Sequence, residues 1–162
     1  MLRMKWIDLS LGLSTFLSGL YGGVGFFIVM GGNPAITLMS DRTFAEYWQH
    51  TDHFMAARMP VFGPLLMISL LLSAILLLKE ARALPAWLML IALMMIIGDV
   101  IFTLNVNHPY NKLIQSWELE SLPADVRMVR DKVVDAFYIR ILFMMGAFLL
   151  VILSAWLRRS NQ

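Results

Sequence analysis

Asp99 is the one charge in the otherwise apolar run 83–105. An acid inside a membrane span costs roughly 2.5–3.5 kcal/mol to insert and is kept for a partner or a wet cavity. Arg140 opens the last apolar run, on the same side of the membrane by the topology below. An Asp99–Arg140 pair admits two readings: a clasp between helices, or the floor of a ligand pocket. Glu46, His50 and His53 stand at i, i+4 and i+7, which puts them on one helix face. Asp99 or His108 can complete a metal coordination sphere with them. A solvated polar face explains the same spacing, and it matches no H-E-x-x-H signature. Without a metal, His53 or His108 supplies a general base near neutral pH. Tyr47, Tyr110 and Tyr138 add hydroxyl donors, Tyr138 as a ligand contact, and Trp117 adds an aromatic wall. The groups able to do chemistry thus gather at one end of the molecule.

The elements that must hold them are helices. No Asp, Glu, Lys, Arg or His falls in 9–40, 59–78 or 141–157, and a hydrocarbon layer about 30 Å thick takes roughly 20 helical residues to cross. The expectation is an all-α polytopic membrane protein, a single domain over 1–162 with four transmembrane helices at about 7–30, 61–78, 86–104 and 137–157. Gly31-Gly32-Asn33-Pro34 is expected to end the first helix, Pro60 to end an interfacial amphipathic helix over 40–58, and Pro109 to prevent continuation of the third. Ser40 fits that interfacial helix as an N-cap, and Phe44, Trp48, Met55 and Met59 as its apolar face. Gly19 and Gly23 form a G-x-x-x-G step for close helix packing. The link 79–85 is short enough to make helices 2 and 3 antiparallel neighbours.

Composition narrows the function. With 59% hydrophobic residues and a net charge of +2 spread along the chain, nucleic acid is not a partner. The absence of cysteine excludes disulfides, thiolate metal sites and thiol redox chemistry. No P-loop, G-x-S-x-G or dinucleotide fingerprint is present, and the thirteen methionines read as packing filler. Arg3, Lys5, Lys79, Arg82, Arg158 and Arg159 lie close to the spans on one side. That density points to both termini in the cytoplasm, in a multi-pass protein of the bacterial cytoplasmic membrane. The partners expected are membrane lipid, a hydrophobic aromatic or quinone-like ligand, and a second copy of the chain in a homo-oligomer. No cofactor is required by the sequence, and the His/carboxylate metal site stays open.

The segment Pro109-Tyr110-Asn111-Lys112-Leu113, then Trp117, then Arg127, Arg130 and Arg140 before the last span, resembles the anthrone oxygenase-like family. Its members are small four-helix membrane proteins with a glycine-bearing first helix and an arginine opening helix 4. By likeness Pro109, Asn111 and Arg140 carry over, Asn111 as a ligand contact. Many members place W-x-x-x-H-x-x-R before the final span; Val133 and Phe137 stand here at the tryptophan and histidine positions. Fungal relatives oxidise anthrones to anthraquinones with oxygen, without an established metal or flavin. The resemblance implies an oxygen-linked oxidation of a lipid-soluble aromatic molecule, with a base (His53, His108 or Asp99) and a cation (Arg140 or Arg58) for the enolate. The competing class is a non-catalytic accessory or lipid- and quinone-binding module.

Overall fold

A computed structural model describes the backbone of residues 2–160 and the side chains from Trp6 to Ser160. Helix α1 (Leu2–Phe27) runs through a π-helical turn (Ile28–Gly32) into α2 (Asn33–Leu38). Helix α3 is a single unbroken rod, Asp41–Lys79, and α4 (Ala83–Phe102) continues through a second π-helical turn (Thr103–Asn107) into α5 (His108–Gln115). Helix α6 covers Val126–Ser160. Four helical stretches are long and apolar enough to cross a membrane: Trp6–Leu38, Asp41–Lys79, Ala83–Gln115 and Val126–Ser160. The chain is a multi-pass, all-α, four-helix membrane bundle.

Its helices outlast the lipid. The 39 residues of α3 extend about 58 Å, nearly twice the hydrocarbon thickness. The surplus projects at the end away from the termini, called distal below. The expected break at Pro60 is therefore corrected: α3 passes through both Pro60 and Pro64, and the stretch expected as a separate interfacial helix is its distal half. A proline forfeits one ladder bond and crowds the preceding turn. Here the helix is held from both ends, by the lipid-embedded half and by distal burial of Phe44, Ala45 and Trp48. Its start follows expectation, with Ser40 Oγ accepting from Thr43 N at 3.2 Å and Asp41 in the first turn.

Pro34 and Pro109 do not end their helices either. Each is the second residue after a π-helical turn, 28–32 or 103–107. The wider turn moves aside the carbonyl that a proline ring would strike, so the chain keeps its direction. Between α3 and α4 the chain reverses at Ala81, which takes a left-handed conformation with φ 58°.

Helix α1 packs against α3 and α6, and α4 packs against the same two, so α1 and α4 face each other across a diagonal of the bundle. The inner core is built from Leu66, Leu70, Met89, Ile96, Met144 and Val151; a second, distal core holds Ile36, Phe44, Trp48, Ile114, Val129 and Val133. Ile68, Leu72, Met94 and Leu149 point outward, exposed, as lipid-facing residues do. The glycine seam is Gly19, Gly22 and Gly25 rather than Gly19 with Gly23. A Cβ on Gly22 would lie 3.2 Å from Phe148 Cβ, and one on Gly25 would lie 3.0 Å from Met144 Sδ, whereas one on Gly23 would meet nothing within 4 Å.

Candidate buried polar site

Asp99 lies on the inward face of α4 and is fully buried. From α6, Arg140 reaches it with two bonds, Nε to Oδ1 at 2.9 Å and Nη2 to Oδ2 at 3.1 Å. This is the bidentate geometry that makes guanidinium–carboxylate pairs strong. The side chain of Arg140 keeps 12% exposure, against none for Asp99, so the arginine forms the accessible edge of the pair. Tyr21 of α1 reaches across the diagonal and donates its hydroxyl to Asp99 Oδ2. The Tyr21 ring stacks on Phe62 of α3, centroids 6.2 Å apart. Three of the four long helices thus meet at one polar point, and α3 packs the Phe62 ring against it. Phe137 lies under the Arg140 guanidinium at 4.8 Å from its ring centroid, and Trp48 meets Phe137 edge-on at 6.1 Å. Phe137 is therefore the aromatic support of the arginine.

The remaining sequence candidates separate from this point. Glu46, His50, His53 and Arg58 are exposed on the distal half of α3, and His108 is exposed at the start of α5. His53 packs edge-on against Phe54 at 5.4 Å, and Arg58 caps the same ring at 5.2 Å while donating to Phe54 O. Among the described residues no three His, Asp or Glu side chains gather closely enough to hold a metal ion, so Glu46, His50 and His53 share a face without forming a ligand set. Tyr138 is 47% exposed on α6. Trp117 is buried in the distal core, where its ring meets Phe44 at 6.5 Å. Asn111 is occupied on both side-chain atoms: it accepts from Trp48 Nε1 at 3.1 Å and donates to Asp52 Oδ1. With Gln115 Nε2 donating to Gln49 O at 2.9 Å and to Asp52 Oδ2 at 3.2 Å, it fastens α5 to the distal half of α3.

The expectation that chemistry-bearing groups crowd one end is also corrected. Near the termini, buried Arg158 pairs with Asp8 and with Glu80, the latter at 3.3 Å. Between the two charged clusters Ser10 and Ser14 of α1 each meet Ser73 at 2.9 Å. Sequence reasoning passed over Tyr21, yet a signal was present. Ser10, Ser14, Ser18 and Tyr21 recur at helical spacing through an otherwise apolar, glycine-rich run, and in lipid such a polar stripe must face the interior.

The family model described as Anthrone oxygenase matches residues 52–150, a stretch that contains Asp99, Asn111, Phe137 and Arg140 and leaves Tyr21 outside. No curated protein and no solved structure matches the chain. With the matched stretch covering more than half of the sequence, this four-helix membrane protein belongs to the anthrone oxygenase family.

Proposed function

We propose that the protein carries out an oxygen-linked oxidation of a neutral, lipid-soluble aromatic or quinone-like molecule at the Tyr21–Asp99–Arg140 cluster. One observation carries the reading: a buried carboxylate, a guanidinium at its accessible edge and a phenol converge from three helices. Arg140 spends two of its five N–H donors on Asp99, which leaves donors for a ligand oxygen. Asp99 Oδ1 accepts only from Arg140 Nε, so it keeps a lone pair for a proton. For an anthrone-type ligand the ring CH₂ loses a proton to Asp99, and the enolate oxygen that forms is stabilised on Arg140. The enolate gives electrons to O₂ and forms a C–O bond, the peroxide takes the proton back from Asp99, and the hydroperoxide then loses its remaining C–H proton and its O–O bond as water. In total CH₂ and O₂ become C=O and H₂O. Tyr21 holds the carboxylate in position, and Phe137 offers a flat surface beside it.

Oxygen uptake by the purified protein with anthrone tests this. The Asp99→Asn/Arg140→Gln double variant, which leaves no unpaired buried charge, should lose at least about 10²-fold in turnover while keeping its helical circular dichroism. Unchanged turnover in the folded variant removes the proposal. A second reading, a non-catalytic lipid- or quinone-binding module, is favoured by the completed pairing of Asp99, which already has a partner on each oxygen. That module would hold a quinone without consuming oxygen.

A further inference from the structure

Positive charge gathers at the α3–α4 turn, on the termini side of the bundle. Helix α4 starts without a side-chain cap, since Arg82 at its N-cap position makes no such bond to the first turn. The first bond into the helix runs from Ala86 N to Arg82 O at 3.1 Å. Pro85 carries no N–H, so the amides of Ala83 and Leu84 are the ones left at the helix end, and both residues are exposed. A helix start of this kind carries about half a positive charge and suits an anion.

A buried side chain behind the turn makes the same demand. Arg158 is 2% exposed. Its Nη1 meets Asp8 and its Nε meets Glu80 at 3.3 Å, while Nη2 has no hydrogen-bond partner among the described residues. A buried guanidinium short of an acceptor is costly. The helix register brings it to the α4 start. Ser154 Oγ donates to Pro85 O at 2.8 Å, and Arg158 stands one turn further along α6, level with the residues that open α4. Its partner Glu80 is the C-cap of α3. Around this turn the cations Lys79, Arg82, Arg158 and Arg159 outnumber the carboxylates Asp8 and Glu80.

The level is that of lipid headgroups. Trp6, Trp87 and Trp156, on three different helices, are 61%, 60% and 62% exposed, and indoles collect where hydrocarbon meets water. Leu84, three residues before Trp87 and on the same side of α4, is also exposed.

We propose that the N-terminus of α4, with Arg158 behind it, binds the phosphate of an anionic phospholipid whose acyl chains lie along Leu84 and Trp87. Free phosphate carries the same oxygens but has no chains to cover that apolar surface. A zwitterionic lipid brings its own ammonium into a cluster already in positive excess, so the net anionic headgroup is preferred. The site lies at the opposite end of the bundle from Tyr21, Asp99 and Arg140 and does not depend on the function proposed for them.

The test uses the full chain in detergent micelles and counts retained lipid by native mass spectrometry. The probes are phosphatidylglycerol, phosphatidylcholine with the same acyl chains, and inorganic phosphate. Wild type should hold phosphatidylglycerol about tenfold more tightly than phosphatidylcholine. Ala83→Pro removes one amide donor at a helix position that proline suits and should weaken phosphatidylglycerol about tenfold. Lys79→Gln should weaken it about fivefold. Glu80→Gln should tighten it about fivefold, because an opposing carboxylate is lost while Asp8 stays on Arg158; a turn with a purely structural role gains nothing from that change. Lys112→Gln, an exposed cation at the distal end, should leave retention as in wild type. Equal retention of the two lipids by wild type overturns the proposal, as does a preference left unchanged in the folded Ala83→Pro, Lys79→Gln and Glu80→Gln variants. Displacement of phosphatidylglycerol by millimolar inorganic phosphate overturns the lipid as occupant and makes free phosphate the ligand.

Discussion

The bidentate contact between Arg140 and Asp99 depends on the shape of guanidinium as much as on its charge. Arg140→Lys separates the two. Lysine preserves a cation beside Asp99, so the carboxylate stays paired, but a single ammonium cannot make the fork contact and still present donors to a ligand. The expected result is a folded protein whose turnover with anthrone falls about 10²-fold, read as kcat against KM. Wild-type kcat in the lysine variant would mean the guanidinium makes no contact with the reacting oxygen. Tyr21→Phe isolates the remaining bond. Its loss removes a donor from a buried carboxylate, worth about 1.5–3 kcal/mol, and should lower the melting temperature with the helices intact. Asp99 was legible in the sequence because a charge in lipid has few physical excuses, and Arg140 because it opens an apolar span. Tyr21 carries no charge, so the same argument could not single it out; only its place in the stripe with Ser10, Ser14 and Ser18 marks it.

Lipid made the four apolar runs readable, since span length and internal hydrogen bonding leave few alternatives. What the runs could not show was continuity. A proline penalty is local, about 3 kcal/mol, whereas the forces that carry α3 through Pro60 and Pro64 lie in contacts with other elements. The distal core of Phe44, Trp48, Ile114 and Val129 joins segments far apart in the chain, and no local pattern announces it. Asn111 shows the consequence. The family resemblance marks it as a ligand contact, yet both of its side-chain atoms are spent on Trp48 and Asp52. Asn111→Ala should therefore act through the α3–α5 fastening. It strands the buried indole N–H and frees Asp52, for a cost of about 1–3 kcal/mol. Limited proteolysis after Gln115 should accelerate, while quinone affinity stays near wild type. A large loss of affinity with normal protease resistance would return Asn111 to the ligand site.

Across the whole molecule the two charged clusters divide the labour unequally. Arg158, Asp8 and Glu80 tie the first and last helices to the α3–α4 turn. The Tyr21–Asp99–Arg140 cluster stands where the helices continue past the lipid and the two π-helical turns interrupt their regularity. The ligand of the proposed function would enter from the distal leaflet, and which leaflet that is depends on topology. The expectation of both termini in the cytoplasm does not depend on Arg158 being unpaired, because orientation follows basic residues near the spans rather than net charge. Lys79, Arg82 and Arg159 lie on the same, termini side. On the distal side Arg127 lies about 20 Å along α6 from Arg140. The chain contains no cysteine, so single Ser116→Cys and Ser160→Cys variants report one position each, and both serines are exposed. With a membrane-impermeant maleimide on intact bacterial cells, Ser116→Cys should label at once and Ser160→Cys only after lysis. The reverse pattern would turn the proposed site toward the cytoplasm, with ligand supply from the inner leaflet.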